Sequence, residues 1–125
     1  MGKVLFDFYK GYEDYECITF VRKKQRKEEL FQIWEGFLGF IMEGEDKTTE
    51  IGNYEEIYFN SFDDYKLEKL NDCIKQFKSI NLKKLDLIKD AGPNLRERVS
   101  KVLEKLIIFL NEALEKKYEV YLRFD

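Results

Sequence analysis

The chain contains no histidine. That absence removes the commonest general base, the Ser-His and Cys-His nucleophile pairings and the commonest metal ligand in one stroke. Proline occurs once, at Pro93, which leaves little room for an extended linker. The two cysteines, Cys17 and Cys73, are far apart in sequence and follow no metal or redox spacing. The seven glycines are dispersed, and none opens a strand-turn-helix phosphate fingerprint. No apolar run approaches the length that crosses a bilayer, and the first residues lack the apolar core of a signal peptide. Gly2 is not followed by a myristoylation signal, because Phe6 stands where Ser or Thr is needed. These absences together lead to the expectation of a cytoplasmic protein with two free, buried thiols, no cofactor and no bound metal.

What is present is enough for a core. Of 125 residues, 44% are hydrophobic and 16% aromatic, so a disordered chain is not expected. The length suits one domain spanning residues 1–125. The formal net charge of −3 conceals a strong sorting. Residues 1–42 are neutral, residues 43–64 carry eight carboxylates against Lys47 alone, and residues 65–125 carry an excess of four cations.

The clearest element lies between Asn94 and Lys117. Leu95, Val99, Val102, Leu103, Leu106, Ile107, Phe109, Leu110, Ala113 and Leu114 fall in one arc at helical spacing, with Glu97, Lys101, Glu104, Asn111, Glu112 and Glu115 opposite. Gly92-Pro93 precedes it, Asn94 and Glu97 have the spacing of a capping box, and Lys116 and Lys117 sit where cations oppose the helix dipole. Ile108 falls among the polar positions, as an isolated surface apolar residue or a contact with another chain.

The fold expected is a small α+β domain. Three to four mostly antiparallel strands (about 3–9, 15–22, 54–59 and 118–124) pack on three main helices (about 27–42, 62–79 and 94–116). The first two strands are expected to form a hairpin around Lys10–Asp14. In the second helix, Gly36 and Gly39 are expected to mark a kink, an early end or a bare strip open to another backbone. Residues 43–53 read as an exposed loop lacking the alternating acids of a calcium loop. Residues 54–59 alternate, with Ile57 and Phe59 on one side. Ser61 is placed as a helix cap with Asp63 and Asp64 in its first turn. Residues 82–90 suggest a further short helix.

Three functional readings follow. The first is a protein-binding module that uses the acidic block, in which Glu43, Glu45, Asp46, Glu50, Glu55, Glu56, Asp63 and Asp64 interleave with Tyr54, Tyr58 and Tyr65. Tyrosines supply rigid contact area and clustered acids steer association toward a basic partner. Basic surfaces are what nucleases present, so the role expected is that of an immunity or antitoxin inhibitor masking a nuclease toxin. The likeness is one of size and charge plan. The second reading is nucleic-acid binding through Arg22–Lys27, five cations in six residues, more simply a solvated connection. The third, a carboxylate-dependent enzyme, has only the pairs Glu45-Asp46, Glu55-Glu56 and Asp63-Asp64 to build on, and no enzyme is expected. A homodimer through Ile108 or the glycine strip is compatible with all three.

Overall fold

The computed structural model describes residues 2–60, 63–84 and 92–124. These form a mixed, mostly antiparallel five-stranded sheet and four α-helices, the α+β class expected. The strands are β1 (Lys3–Phe8), β2 (Cys17–Lys24), β3 (Lys27–Trp34), β4 (Tyr65–Lys66) and β5 (Glu119–Phe124). The helices are α1 (Glu35–Ile41), α2 (Tyr54–Asn60), α3 (Leu70–Ser79) and α4 (Pro93–Glu115). Across the sheet the order is β1-β3-β2-β5-β4, with β1 parallel to β3 and the remaining neighbours antiparallel.

The helices share one sheet face. Ile18, Phe20, Phe31, Ile33, Val120 and Leu122 point into a core completed by the buried side of α4, where Val99, Val102, Leu106, Phe109, Leu110 and Ala113 are nearly or fully inaccessible. The apolar arc read from sequence is therefore the side turned to the core, with Leu95 and Ile107 partly buried and Leu114 43% exposed at its edge. Ile108 is exposed, at 47%. No helix among the described residues lies on the opposite sheet face. Thr19, Val21 and Leu30 are buried there outside the main core. Lys23, Glu28 and Arg123 share that face by strand register, and their ion pairs with Asp64 close over it.

Several expectations are corrected. Residues 27–34 are a strand, not the first turns of a helix over 27–42. β2 and β3 pair from Lys24↔Lys27 to Cys17↔Trp34 around a two-residue turn. A central strand buried on both faces shows a run of adjacent apolar residues, here Leu30, Phe31 and Ile33, and over a short stretch such a run also fits a helical arc. The helix proper is α1, and it ends at Ile41. At Gly36 a Cβ would lie 2.2 Å from the Trp34 ring, so glycine is needed for the indole to fold back over the helix start. Tyr12 stacks on that indole with centroids 4.6 Å apart.

β1 and β2 are not a hairpin. β3 inserts between them, and residues 9–16 cross over it. The crossover is held by the Tyr9 hydroxyl, which donates to the Glu13 and Tyr15 carbonyls.

Residues 54–59 are helix rather than strand. Tyr54 and Ile57, three apart, bury on one side while Phe59 is 74% exposed. The alternation was that of a short amphipathic helix sampled over too few residues. The loop over 43–53 is exposed only in part, since Ile51, in a single 3-10 turn at Ile51–Asn53, is fully buried.

The helix expected over 62–79 begins only at Leu70. Tyr65 and Lys66 are drawn into the sheet edge opposite Leu122 and Tyr121. Asp63 and Asp64 are accordingly not its first turn, and Ser61 lies outside the described residues. α4 starts at Pro93 with Gly92 as its N-cap and no capping side-chain hydrogen bond, so Asn94 and Glu97 do not form the expected box. Pro93 occupies a first-turn position where no amide is required. Leu82–Lys84 forms one 3-10 turn, and the remainder of the expected 82–90 helix lies outside the described residues. Cys17 and Cys73 are both buried, and neither is in a disulfide.

Candidate functional site

The acidic block is divided by the fold into four parts. Glu43, Glu45 and Asp46 occupy the turn after α1, where Glu45 accepts from the Gln76 side chain at 3.3 Å and ties the turn to α3. Asp46 is exposed, and its Oδ1 accepts from the Thr48 amide at 2.8 Å and the Thr48 hydroxyl at 2.7 Å. The amide hydrogen bond is the larger cause that holds its carboxyl below the usual aspartate value.

Glu50 is a cap supplied from a distance. Its carboxylate accepts from the Glu68 amide at 3.1 Å, from the Lys69 amide and from the Tyr65 hydroxyl at 3.2 Å. Lys69 is the N-cap position of α3 and makes no side-chain cap bond of its own. Glu50 thus satisfies amides that a helix start leaves open. Partial burial, and then the Glu50 charge, raises the Tyr65 phenol above its ordinary value.

Asp64 is consumed by ion pairs. It receives both prongs of the Arg123 guanidinium at 2.9 Å each and Lys23 Nζ at 3.1 Å. The Arg123 hydrogen bonds lower its pKa. Asp63 beside it is exposed.

α2 holds what remains open. Tyr54 faces inward at 4% exposure and donates to Glu35 at 3.1 Å. Burial first, and then the Glu35 carboxylate, pushes its phenol far above the ordinary value. Its side chain anchors the helix to the core. On the outer side, Glu55, Phe59 and Glu56 follow one another around the helix by their spacing of 100° per residue, and all three are exposed. Tyr58 sits at the margin of this face. Its ring is 5.3 Å from Phe59 and 5.2 Å from Phe124, and its hydroxyl donates to Glu16 at 3.0 Å. That hydrogen bond raises the Tyr58 pKa.

Of the residues read from sequence, the fold brings Glu55, Glu56 and Tyr58 together. It sends Glu50, Tyr65 and Asp64 to structural contacts. Sequence reasoning missed Phe59, Glu16 and Glu35. Phe59 was readable only on a helical spacing, where it falls opposite Tyr54 and Ile57. No sequence signal links Glu16 to Tyr58, because β2, β3, α1 and residues 42–53 lie between them.

Among the described residues there is no group of three or more Cys, Asp or Glu side chains arranged to hold a metal ion. Nor is any helix among them long and apolar enough to cross a membrane. Compared with known families, with curated proteins and with solved structures, the chain matches none. The class it can be assigned to is that of its architecture, a small α+β domain.

Proposed function

We propose that this chain is a protein-binding module whose contact face is the outer side of α2, and that its partner is basic. The observation that carries the reading is Phe59. A phenylalanine 74% exposed is a large apolar side chain left in water, and it stands between two exposed carboxylates, Glu55 and Glu56. Exposed aromatics ringed by charge are the usual composition of an interface centre with its rim. Tyr58 adds a ring held in place by Phe124 and Glu16, so part of the contact area is ordered before a partner arrives. Carboxylates at the rim accelerate association with a positively charged partner in a salt-dependent way.

The role that fits a compact acidic binder is inhibition. Occupying the substrate groove of a nuclease toxin, in the manner of an immunity protein or antitoxin, would use the aromatic for affinity and the acids for steering. The experiment is surface plasmon resonance against catalytically inactivated basic nuclease toxin domains. Binding that weakens with salt, and an association rate that drops in the Glu55→Lys/Glu56→Lys variant, supports the reading. Salt-independent binding, or binding unaffected by that variant, removes it.

A further inference from the structure

The run Arg22–Lys27 is broken up by folding. Arg22 is buried, with its guanidinium 2.9 Å from Glu29, 2.9 Å from Glu112 and 3.1 Å from the Phe109 carbonyl. Lys23 turns to the other sheet face and pairs with Asp64. Lys24, Arg26 and Lys27 remain exposed at the β2–β3 turn. The fold then adds two cations that the run does not contain. α4 ends beside the turn, where Lys24 Nζ donates to the Lys116 carbonyl at 2.8 Å, and this brings Lys116 and Lys117 to the same corner. Of the carboxylates nearby, Glu29 is buried against Arg22 and has Lys27 Nζ 3.8 Å away, and Glu112 is shared by Arg22 and Lys116. Arg26 and Lys117 have no acidic partner among the described residues.

The backbone singles out the same corner. Among the described residues, the only non-glycine residues with left-handed φ are Gln25 at +56° and Lys117 at +61°. Gln25 opens the two-residue turn, a position that glycine usually fills. Lys117 follows the α4 cap, with the Tyr118 amide bonded to the Ala113 carbonyl at 2.8 Å and the Lys117 amide to Leu114 at 3.4 Å. This is the glycine position of a Schellman helix end, and a side chain there is kept against a conformational cost. The helix dipole draws a cation to Lys116. It does not call for a lysine in a left-handed conformation one residue further on, or for Arg26 on the facing turn. Unfavourable backbone states of this kind collect where a surface is used.

We infer that this corner, formed by Lys24, Arg26, Lys27, Lys116 and Lys117, binds the phosphate backbone of nucleic acid. Two turns that present cations without a pocket match sequence-independent phosphate contact. A bilayer is the poorer fit, because interfacial insertion needs apolar area and the apolar side chain exposed near the end of α4 is Leu114 alone. The site is independent of the α2 face. Glu16 precedes one end of β2 and Lys24 closes the other, roughly 25 Å away at the rise of a strand, so the two surfaces do not compete.

The test is fluorescence anisotropy of the full chain with a labelled DNA duplex of about 20 base pairs, across a salt series. If three to four phosphates are engaged, affinity falls roughly 40- to 150-fold between about 50 and 200 mM salt. The Arg26→Glu/Lys117→Glu variant loses at least about tenfold, the scale expected when two of those contacts are reversed, and keeps its melting temperature. Glu55→Lys/Glu56→Lys does not weaken binding. The inference is overturned by no binding at low salt, by undiminished binding of the Arg26→Glu/Lys117→Glu variant, or by retention on phosphatidylserine vesicles without binding to the duplex.

Discussion

Arg22 and Glu29 face each other across the β2–β3 hairpin, 2.9 Å apart, and both are buried under the end of α4. The pair joins three elements, since the same guanidinium reaches Glu112 and the Phe109 carbonyl and lies 4.4 Å from the centre of the Phe109 ring. Desolvating such charges is costly, and only complete pairing offsets it. Arg22→Ala leaves Glu29 buried without its main partner and is expected to destabilise by about 3–5 kcal/mol. Arg22→Met with Glu29→Leu removes both charges and should recover most of that loss. Urea unfolding of the two variants is the check, and equal losses would contradict this view of the pair.

The same residues show how far the sequence could be read. The apolar arc of α4 was legible because 23 residues sample the helical period many times. β5 was legible because Val120, Leu122 and Phe124 alternate against a solvated side. β3 was not, because Leu30 and Phe31 are buried on opposite faces, and only the partner strand reveals that. Arg22 and Lys23 looked like neighbours in one basic run, yet a strand sends consecutive side chains to opposite faces. In the acidic block, charge was visible but commitment was not. Glu50 and Asp64 differ from Glu55 and Glu56 through contacts 18 and 59 residues away, which no local pattern encodes.

Asp64 gives a pH prediction. Its carboxyl is lowered in the folded state by Arg123 and then Lys23, so it contributes stability that is fully present above the unfolded aspartate value and is lost as pH falls through the folded one. Asp64→Asn should cost roughly 1 kcal/mol near neutrality, the scale of a partly exposed ion pair, and nothing once Asp64 itself is protonated. Thermal melts from neutral pH down to strongly acid pH should show the two proteins converging. Parallel curves would contradict the assignment.

Cys73 offers a probe of core opening. Burial pushes its thiol up to about 11, well above the ordinary cysteine range. Cys17 is likewise buried. Neither thiol should react with a disulfide reagent at mildly alkaline pH until the protein opens, and denaturant should release two equivalents. Rapid labelling of the native chain would contradict a closed core around α3.

Lys117 predicts a trade between stability and binding. Lys117→Gly relieves a left-handed lysine and should raise stability by up to about 1 kcal/mol, while it removes a cation from the corner opposite α2. Denaturation midpoints report the first effect and duplex binding the second. A variant that is both less stable and unchanged in binding would count against both readings.

The outer face of α2 as the contact surface is tested most directly by amide-resolved NMR. The isotope-labelled chain is titrated with an arginine-rich peptide, first as wild type and then with Phe59→Ala. Shift changes gathered at Glu55, Glu56, Tyr58 and Phe59, and weakened by the truncation, are the predicted result. Changes centred on Asp46 or Asp63, or a titration indifferent to Phe59, would contradict it.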